Sequence, residues 1–179
     1  MTLGDRVCVM AGGLKRQCAS PLEVYQHPAD RFVAGFLGMP PMNFLSGKLE
    51  HSGGEFQFRN QDVHLMVDNS NGLLTGETTG EVVAGLRPEA LHLEGLDSAP
   101  NSVHATVQVV EPLGSLMDVY LQLGSGQRLV CRTPARPVGE GSQVTLRVNP
   151  GDVHLFSPAS SADPFGISLR STPALVATA

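Results

Sequence analysis

The chain has 179 residues, 41% hydrophobic and 16% charged, so it can hold one full core or two small ones, which excludes a large multidomain enzyme. The formal net charge of −5 disfavours binding to nucleic acid or to an anionic membrane, because both need concentrated positive charge. No apolar run approaches the ~20 residues of a membrane-spanning helix, and 20 Gly with 13 Pro indicate short segments and a mainly β fold.

The N-terminal stretch predicts a β-hairpin. Residues 6–10 and 14–18 have the composition of strands, and Gly12 and Gly13 between them supply a tight turn. The first strand begins almost at once, with no lead-in, which predicts that the chain is a piece of a longer protein.

The three cysteines, Cys8, Cys18 and Cys131, are an odd number without C-x-x-C spacing. This pattern predicts neither a disulfide framework nor a zinc knuckle, so we expect reduced thiols. Cys131 lies within a predicted strand rather than at a helix N-terminus, which would activate a thiol.

Two short helices are predicted after the hairpin. Ser20 as N-cap, followed by Pro21 and Glu23, satisfies the free amide groups of a helix start. Pro28 interrupts this helix, because proline disfavours helical geometry at the preceding residue. A second helix restarts at Ala29, ends at Gly38 and presents one apolar face, whose members are Phe32, Val33, Phe36 and Leu37.

A hairpin and two short helices make a poor independent core. Residues 1–38 are therefore expected to be the end of a larger domain. The apolar face around Phe32 and Phe36 is expected to pack on the rest of the chain or on a partner, or to stay partly exposed.

The next part, residues 42–158, predicts a small barrel or sandwich of short strands with no long helix between them. The predicted strands include residues 56–58, 63–67, 82–86, 103–110, 116–123, 129–131, 144–148 and 153–156. Gly47 and Lys48 are interpreted as a hairpin turn, and so are residues 52–55. The last part, residues 159–179, is rich in Ser, Ala, Pro and Thr and is expected to be a mobile tail.

The sequence contains no recognisable catalytic motif. It has neither a G-x-x-x-x-G-K-[ST] phosphate-binding loop nor a G-x-S-x-G nucleophile elbow, and its histidines lack the spacings of a metal site. Glu89, His92 and Glu94 could converge on one strand face, but ordinary strand alternation explains them equally well. We therefore predict no catalytic, cofactor-binding or metal-binding residue in this chain.

Two proline corners stand out. Arg87, Pro88 and Glu89 end one predicted strand, where the opposite charges are interpreted as a corner ion pair. The run from Glu111 to Gly114 ends another strand, and a turn is the default interpretation.

Seven short motifs follow one another along the chain. They are TLGDRV at residues 2–7, SPLEVY at 20–25, PADRFVAGFLG at 28–38, MNFL at 42–45, GLRPE at 85–89, VVEPLG at 109–114 and HLF at 154–156. Each is weak alone, but the ordered series resembles the C-terminal end of the ATP-binding subunit of maltose-type ABC sugar importers, a family that includes the glycerol-3-phosphate importers. The resemblance covers about residues 1–157.

The resemblance implies a division of the chain. Residues 1–38 would be the last hairpin and helices of a nucleotide-binding domain, and residues 42–158 an OB-like β-barrel regulatory domain of the TOBE type. It also implies a set of positions with a structural or regulatory role, namely Arg87, Pro88, Glu89, Glu111, Gly114, Asn43 and Phe44.

The resemblance also implies what lies elsewhere in the parent protein. The Walker A, Q-loop, signature and Walker B motifs and the switch histidine of the family precede the segment that matches Met1. The chain is therefore expected to be non-catalytic and to bind no cofactor, although the parent would use ATP and Mg²⁺. Residues 52–55 superficially resemble the signature motif, but they lie after the end of the nucleotide-binding domain.

The implied partners are a second copy and the membrane subunits of an importer. Regulatory domains paired across a two-fold axis would keep the dimer together while the nucleotide domains open and close. The complex would lie at the cytoplasmic face of the cell membrane, with no nucleic acid bound.

Three alternatives remain, of which an enzyme of another class has no sequence support beyond scattered polar residues. A small-oxyanion module, like related barrels of molybdate importers, is disfavoured by the net acidity and the lack of a paired basic pocket. An OB-type nucleic-acid binder would need a basic groove with stacking aromatics.

Two residues depart from the family pattern. Ala19 stands where the family usually has a glycine, and Ser157 where it usually has an acidic residue. The geometry of these two turns is therefore not implied by the resemblance.

Overall fold

The structure is a computed structural model in which residues 4–94, 101–161 and 163–170 are described. Within these ranges no helix has the length and apolar character needed to cross a membrane. The helices are α1 (Pro21–Gln26) and α2 (Arg31–Phe36). The strands are β1 (Val7–Ala11), β2 (Leu14–Ala19), β3 (Asn43–Ser52), β4 (Glu55–Arg59), β5 (His64–Val67), β6 (Gly80–Leu86), β7 (Leu91–Glu94), β8 (Ser102–Leu113), β9 (Leu116–Gln122), β10 (Arg128–Pro134), β11 (Gln143–Val148) and β12 (His154–Phe156).

The first region contains the predicted hairpin and helices. Strands β1 and β2 pair in antiparallel fashion. Helix α1 begins as predicted, because the Ser20 hydroxyl accepts a hydrogen bond from the Glu23 amide at 3.3 Å. Helix α2 begins two residues later than predicted, because the Asp30 carboxylate caps it by accepting a hydrogen bond from the Val33 amide at 2.9 Å.

The other ten strands form two antiparallel five-stranded sheets around one core. The strand order is β10-β9-β8-β11-β7 in one sheet and β12-β6-β3-β4-β5 in the other. Alternate side chains of each strand point inward, so Leu45 and Phe58 of one sheet belong to the same core as Leu121 and Leu146 of the other. The predicted mainly β class is confirmed.

Strand β3 is missing from the sequence prediction, and the turn expected at Gly47 and Lys48 is wrong. Both residues lie inside β3 and pair with β6. Glycine stands at position 47 because the Phe58 ring of β4 covers it, and a Cβ atom there would lie 2.5 Å from that ring. The turn expected within residues 52–55 is confirmed at Gly53 and Gly54, whose φ angles are +62° and +84°.

Residues 163–170 pack against helix α2 instead of forming the expected tail. The Phe165 ring lies 5.2 Å from the Phe32 ring of α2, and Ile167 forms an isolated β-bridge with the residue before α2. The prediction of a mobile tail is wrong here, because this segment covers part of the apolar face of α2. Residues 162 and 171–179 lie outside the described residues.

Cys8 and Cys18 form a disulfide, so the expectation of reduced thiols is wrong for this pair. The innermost pair of the hairpin, Ala11 with Leu14, would in regular register place Cys8 opposite Gln17. A β-bulge after Val9 shifts the pairing by one residue and sets Cys8 opposite Cys18. Cys131 is a free, buried thiol.

Candidate functional site

A polar site lies where the first helices meet the β domain (residues 42–158), and Arg87 is at its centre. This side chain follows β6 and is 6% exposed. Its guanidinium donates hydrogen bonds to the backbone carbonyls of Leu37, at 3.1 Å, and of Tyr25. It also lies 3.6 Å from the centre of the Tyr25 ring. Arg87 thus fastens the C-terminal ends of both helices to the β domain.

This arrangement differs from the expected corner ion pair. No salt bridge between Arg87 and Glu89 occurs in the described part of the chain, because the guanidinium turns toward the helices while Glu89 stays exposed. Pro88 is buried and begins the short 3₁₀ turn Pro88–Ala90.

The charge of Arg87 is only partly stabilised by its neighbours, since its Nε atom is buried without a hydrogen-bond partner in the described part of the chain. Burial lowers the pKa of its guanidinium to about 10, so it is protonated at neutral pH. Carbonyl oxygens and an aromatic face offset part of the loss of hydration. Burial, followed by the positive charges of Arg87 and Arg170, lowers the pKa of His154 to about 4. Its neutral imidazole therefore adds no second positive charge beside Arg87.

A cleft of about 640 Å³ opens beside Arg87. Its lining includes His27, Glu89, His92 and Asp152. Glu89, His92 and Glu94 do not converge on one ligand, since Glu94 pairs with Arg147 at 2.7 Å. Among the described residues, no group of three or more His, Cys, Asp or Glu side chains could hold a metal ion.

A second arginine, Arg132 of β10, holds the linker after α2. Its guanidinium donates hydrogen bonds of 2.7 and 2.6 Å to the Asp118 carboxylate of β9, and one of 2.5 Å to the Met39 carbonyl. The hydrogen bonds with Asp118 raise the pKa of Arg132. The sequence motifs do not single out this pair. Only the register of β9 and β10, which places the two residues opposite each other, could have indicated it.

Asn43 connects the two sheets of the β domain. Its side-chain amide donates hydrogen bonds to the carbonyls of Leu86 at 3.0 Å and Val130 at 2.9 Å. Its side-chain oxygen accepts a hydrogen bond from the Val130 amide at 2.7 Å. Because Asn43 is in β3 and Val130 in β10, this one side chain supplies the hydrogen bonds that a neighbouring strand would make.

Phe44 belongs to a small apolar cluster that joins α2 to the β domain. Its ring meets the Phe156 ring edge-on at 5.8 Å. Ala34 of α2 is buried in the same cluster, together with Met42 and Val83. Phe44 thus supplements the polar contacts of Arg87 with apolar packing.

Glu111 and Gly114 lie on the hairpin of β8 and β9. The strand continues through Leu113, so the turn is shorter than expected and consists of Gly114, with φ +81°, and Ser115. The Glu111 carboxylate accepts a hydrogen bond from the Tyr120 hydroxyl at 3.1 Å, which raises the pKa of Tyr120.

This hairpin also carries exposed apolar side chains. Val109 is 44% exposed, Leu113 52% and Leu116 41%. We call these three residues the hairpin patch. Leu113 and Leu116 are register partners, so they lie side by side on one face. Contiguous exposed apolar surface is typical of protein contact sites.

Two protein families match the chain. Residues 38–91 match the MalK OB fold domain and residues 84–156 match the TOBE domain. The two matches overlap on residues 84–91, from the end of β6 to the first residue of β7, so together they cover one continuous β region. The class of the protein is therefore that of a TOBE and OB-fold regulatory domain, as the resemblance predicts.

Known relatives are ATP-binding proteins of importers. The trehalose/maltose import ATP-binding protein MalK of Thermococcus litoralis is 37% identical over 165 residues, which cover 87% of this chain and 43% of the relative. The maltose/maltodextrin import ATP-binding protein MalK of Photorhabdus laumondii is 39% identical over 168 residues, covering 90% and 44%. The sn-glycerol-3-phosphate import ATP-binding protein UgpC 1 of Rhizobium johnstonii is 36% identical over 157 residues, covering 88% and 41%.

The chain spans less than half the length of these relatives. It matches the C-terminal regulatory part of the MalK-type and UgpC-type ABC importer ATP-binding subunits.

A solved structure with a similar fold is that of the cytoplasmic molybdate-binding protein ModG with molybdate bound. Its TM-score is 0.53 at 20% identity, and the match covers 65% of this chain and 96% of that chain. At this identity the likeness shows the fold alone, and it agrees with the predicted OB-like TOBE architecture.

Proposed function

We propose that this chain is the regulatory and dimerising part of the ATP-binding subunit of an ABC importer for sugars, polyols or glycerol-3-phosphate, and that it is not itself catalytic. In this proposal residues 1–38 are the last hairpin and helices of the nucleotide-binding domain, and residues 42–158 are the regulatory domain. The observation that carries the proposal is the fastening of these two segments by Arg87, in a chain that matches these importer subunits.

Arg87 and Arg132 would couple movements of the two domains. Their guanidinium groups reach the backbone carbonyls of Tyr25, Leu37 and Met39, which are the ends of both helices and the start of the linker. Hydrogen bonds to backbone at three points make the linker follow the β domain. A movement of the nucleotide-binding domain would then move the regulatory domain with it instead of bending the linker.

The hairpin patch supplies the proposed contact between two copies. In a two-fold dimer each copy presents the same surface, so Leu113 and Leu116 of one copy would pack on the same residues of the other. Burying these exposed side chains would favour association through the hydrophobic effect.

Nucleotide binding and transport would belong to the parent protein. ATP and Mg²⁺ would be bound by its upstream part, and we assign no residue of this chain to either. The transmembrane subunits, the transported substrate and the place at the cytoplasmic face of the membrane likewise belong to the intact importer.

Self-association tests the dimer. We expect sedimentation equilibrium of the 179-residue chain to show a monomer–dimer equilibrium, and Leu113→Glu to weaken it by at least tenfold, because it places like charges in the contact. Leu22→Glu is the matched control, since Leu22 is 63% exposed but lies on α1. A pure monomer at high micromolar concentration, or an equal loss in both variants, contradicts the proposal.

ATP hydrolysis tests the lack of catalysis. The purified chain is expected to hydrolyse ATP no faster than buffer. Turnover that co-purifies with the chain through several columns would overturn this part.

A further inference from the structure

We propose that Cys8 and Cys18 form a reversible disulfide, a modification site at which small thiols and disulfides of the glutathione class break and remake the covalent link between the two strands of the N-terminal hairpin. This inference rests on the hairpin alone and is independent of the importer function.

The geometry makes the pair accessible to such a reagent. Strand alternation turns Val9 and Ala19 inward, where they are buried, and turns the two cysteines to the outer face. Cys8 is exposed and Cys18 is half-buried. Their Cα atoms are 4.0 Å apart in direct register, so the two sulfur atoms stay close enough to recombine when the bond opens. Access to one sulfur is what thiol–disulfide exchange requires.

The residues next to Cys18 connect strand β2 to the two helices. The Gln17 side chain donates a hydrogen bond to the His27 carbonyl and accepts one from the Ala29 amide, both at 2.9 Å. Arg16 forms an ion pair of 2.5 Å with Asp30. Two neighbours of Cys18 thus hold the corner between α1 and α2.

Asp30 also caps α2, as described above. Strand β2 therefore holds the corner and the start of α2 through Arg16 and Gln17, and it is tied covalently to β1 through Cys18. Opening the disulfide removes the covalent tie while leaving the hydrogen bonds of the hairpin in place.

Reduction of the disulfide takes two exchange steps. A thiolate RS⁻ attacks the Sγ atom of Cys8, the more exposed of the two residues, the S–S bond breaks, and the Cys18 sulfur leaves as a thiolate that takes up a proton. A second RS⁻ attacks the external sulfur of the mixed disulfide, which releases Cys8 as a thiolate that also takes up a proton. The pair gains two electrons and two protons, and two RSH are oxidised to RSSR. The reverse reaction uses RSSR as the oxidant.

Cys131 provides an internal reference. It is buried, and burial raises the pKa of its thiol to about 12, so almost none of it is thiolate at neutral pH. A reagent acting on the folded chain should therefore spare Cys131.

The first experiment equilibrates the full 179-residue chain with reduced and oxidised glutathione at varied ratios. Thiols of the folded chain are then trapped by alkylation and located by peptide mass spectrometry. We expect Cys8 and Cys18 to gain label together as the reducing power rises, with Cys131 unlabelled. A pair that stays oxidised at the most reducing ratio overturns the proposal, and so does independent labelling of the two residues.

The second experiment measures amide hydrogen exchange in both forms. Oxidation is expected to slow exchange at residues 7–19 and 27–30 by about tenfold or more, because the cross-link restricts opening of the hairpin. The β domain should not change. A Cys8→Ser/Cys18→Ser variant should ignore the glutathione ratio, whereas Cys131→Ser should respond like the original chain. Equal exchange in both forms overturns this role of the covalent link.

Discussion

The two regions of the chain are held together by different forces. The β domain has one continuous apolar core that runs through both sheets. Among the described residues, the hairpin-and-helix region buries Val9, Ala19, Val24 and Val33 in a small cluster of its own. It is attached to the β domain by the hydrogen bonds of Arg87 and by the apolar cluster around Phe44. Hydrophobic stabilisation scales with buried apolar area, so the β domain supplies most of the free energy of unfolding. The first region depends mainly on its contacts with the β domain.

The largest effect is expected from the core of the β domain. Phe58→Ala removes a fully buried ring and should lower the free energy of unfolding by about 3–5 kcal/mol, measured by denaturant titration. Phe36→Ala is the matched control in the first region, where the ring is 64% exposed, and it should change the same quantity little. Similar losses in both variants would contradict the contrast between the regions.

The link between the sheets is expected to come next. Asn43→Leu keeps the size of the side chain but leaves the amide and carbonyl of Val130 without their partner. We expect a loss of about 2–4 kcal/mol in the free energy of unfolding. Asn71→Leu serves as the control, because it removes hydrogen bonds with Leu73 and Arg170 at an exposed turn. An unchanged denaturation midpoint for Asn43→Leu would show that the sheets hold without this side chain.

Acid should weaken the chain through His154. Its folded-state pKa, about 4, lies below the ordinary value of 6.5, so the unfolded chain takes up the proton first as pH falls. The stabilisation is complete above pH 6.5 and is lost as pH falls toward 4, by about 2 kcal/mol between pH 7 and pH 5. Chemical denaturation at several pH values measures this slope. His154→Gln should remove it, and His64→Gln, at an exposed position, should keep it.

The smallest global effect is expected where the regions join. Arg87→Met removes the hydrogen bonds to the Tyr25 and Leu37 carbonyls and should cost about 1–2 kcal/mol. Hydrogen exchange should quicken in α1 and α2 but not in the β domain. Arg128→Met, on the exposed side of β10, is the control. Faster exchange throughout the β domain would mean that Arg87 supports the core itself.

Local signals in the sequence predict much of the fold. The Ser20 cap and the glycine turn after β3 depend only on neighbouring residues, and both are confirmed. Gly47 is different, because its place inside a strand depends on the ring of Phe58, eleven positions away and on another strand. Sequence pattern alone therefore assigns it to a turn.

The candidate site is less predictable for the same reason. The sequence singles out Arg87 as part of a corner, but its partners, Tyr25 and Leu37, lie in the other region of the chain. The cysteine pair depends on a single bulge that shifts the register. Contacts set by tertiary packing or by an irregular register leave no periodic trace in the sequence.

The side chain of Asn43 also protects the edge of a sheet. Strand β10 is the last strand of its sheet, and such a margin is open to pairing with a strand of another molecule, which is a common route to aggregation. Asn43 occupies both the amide and the carbonyl of Val130 in the middle of that margin. It therefore blocks pairing of another strand with β10 at this residue, although the position itself carries neither a charged side chain nor a proline.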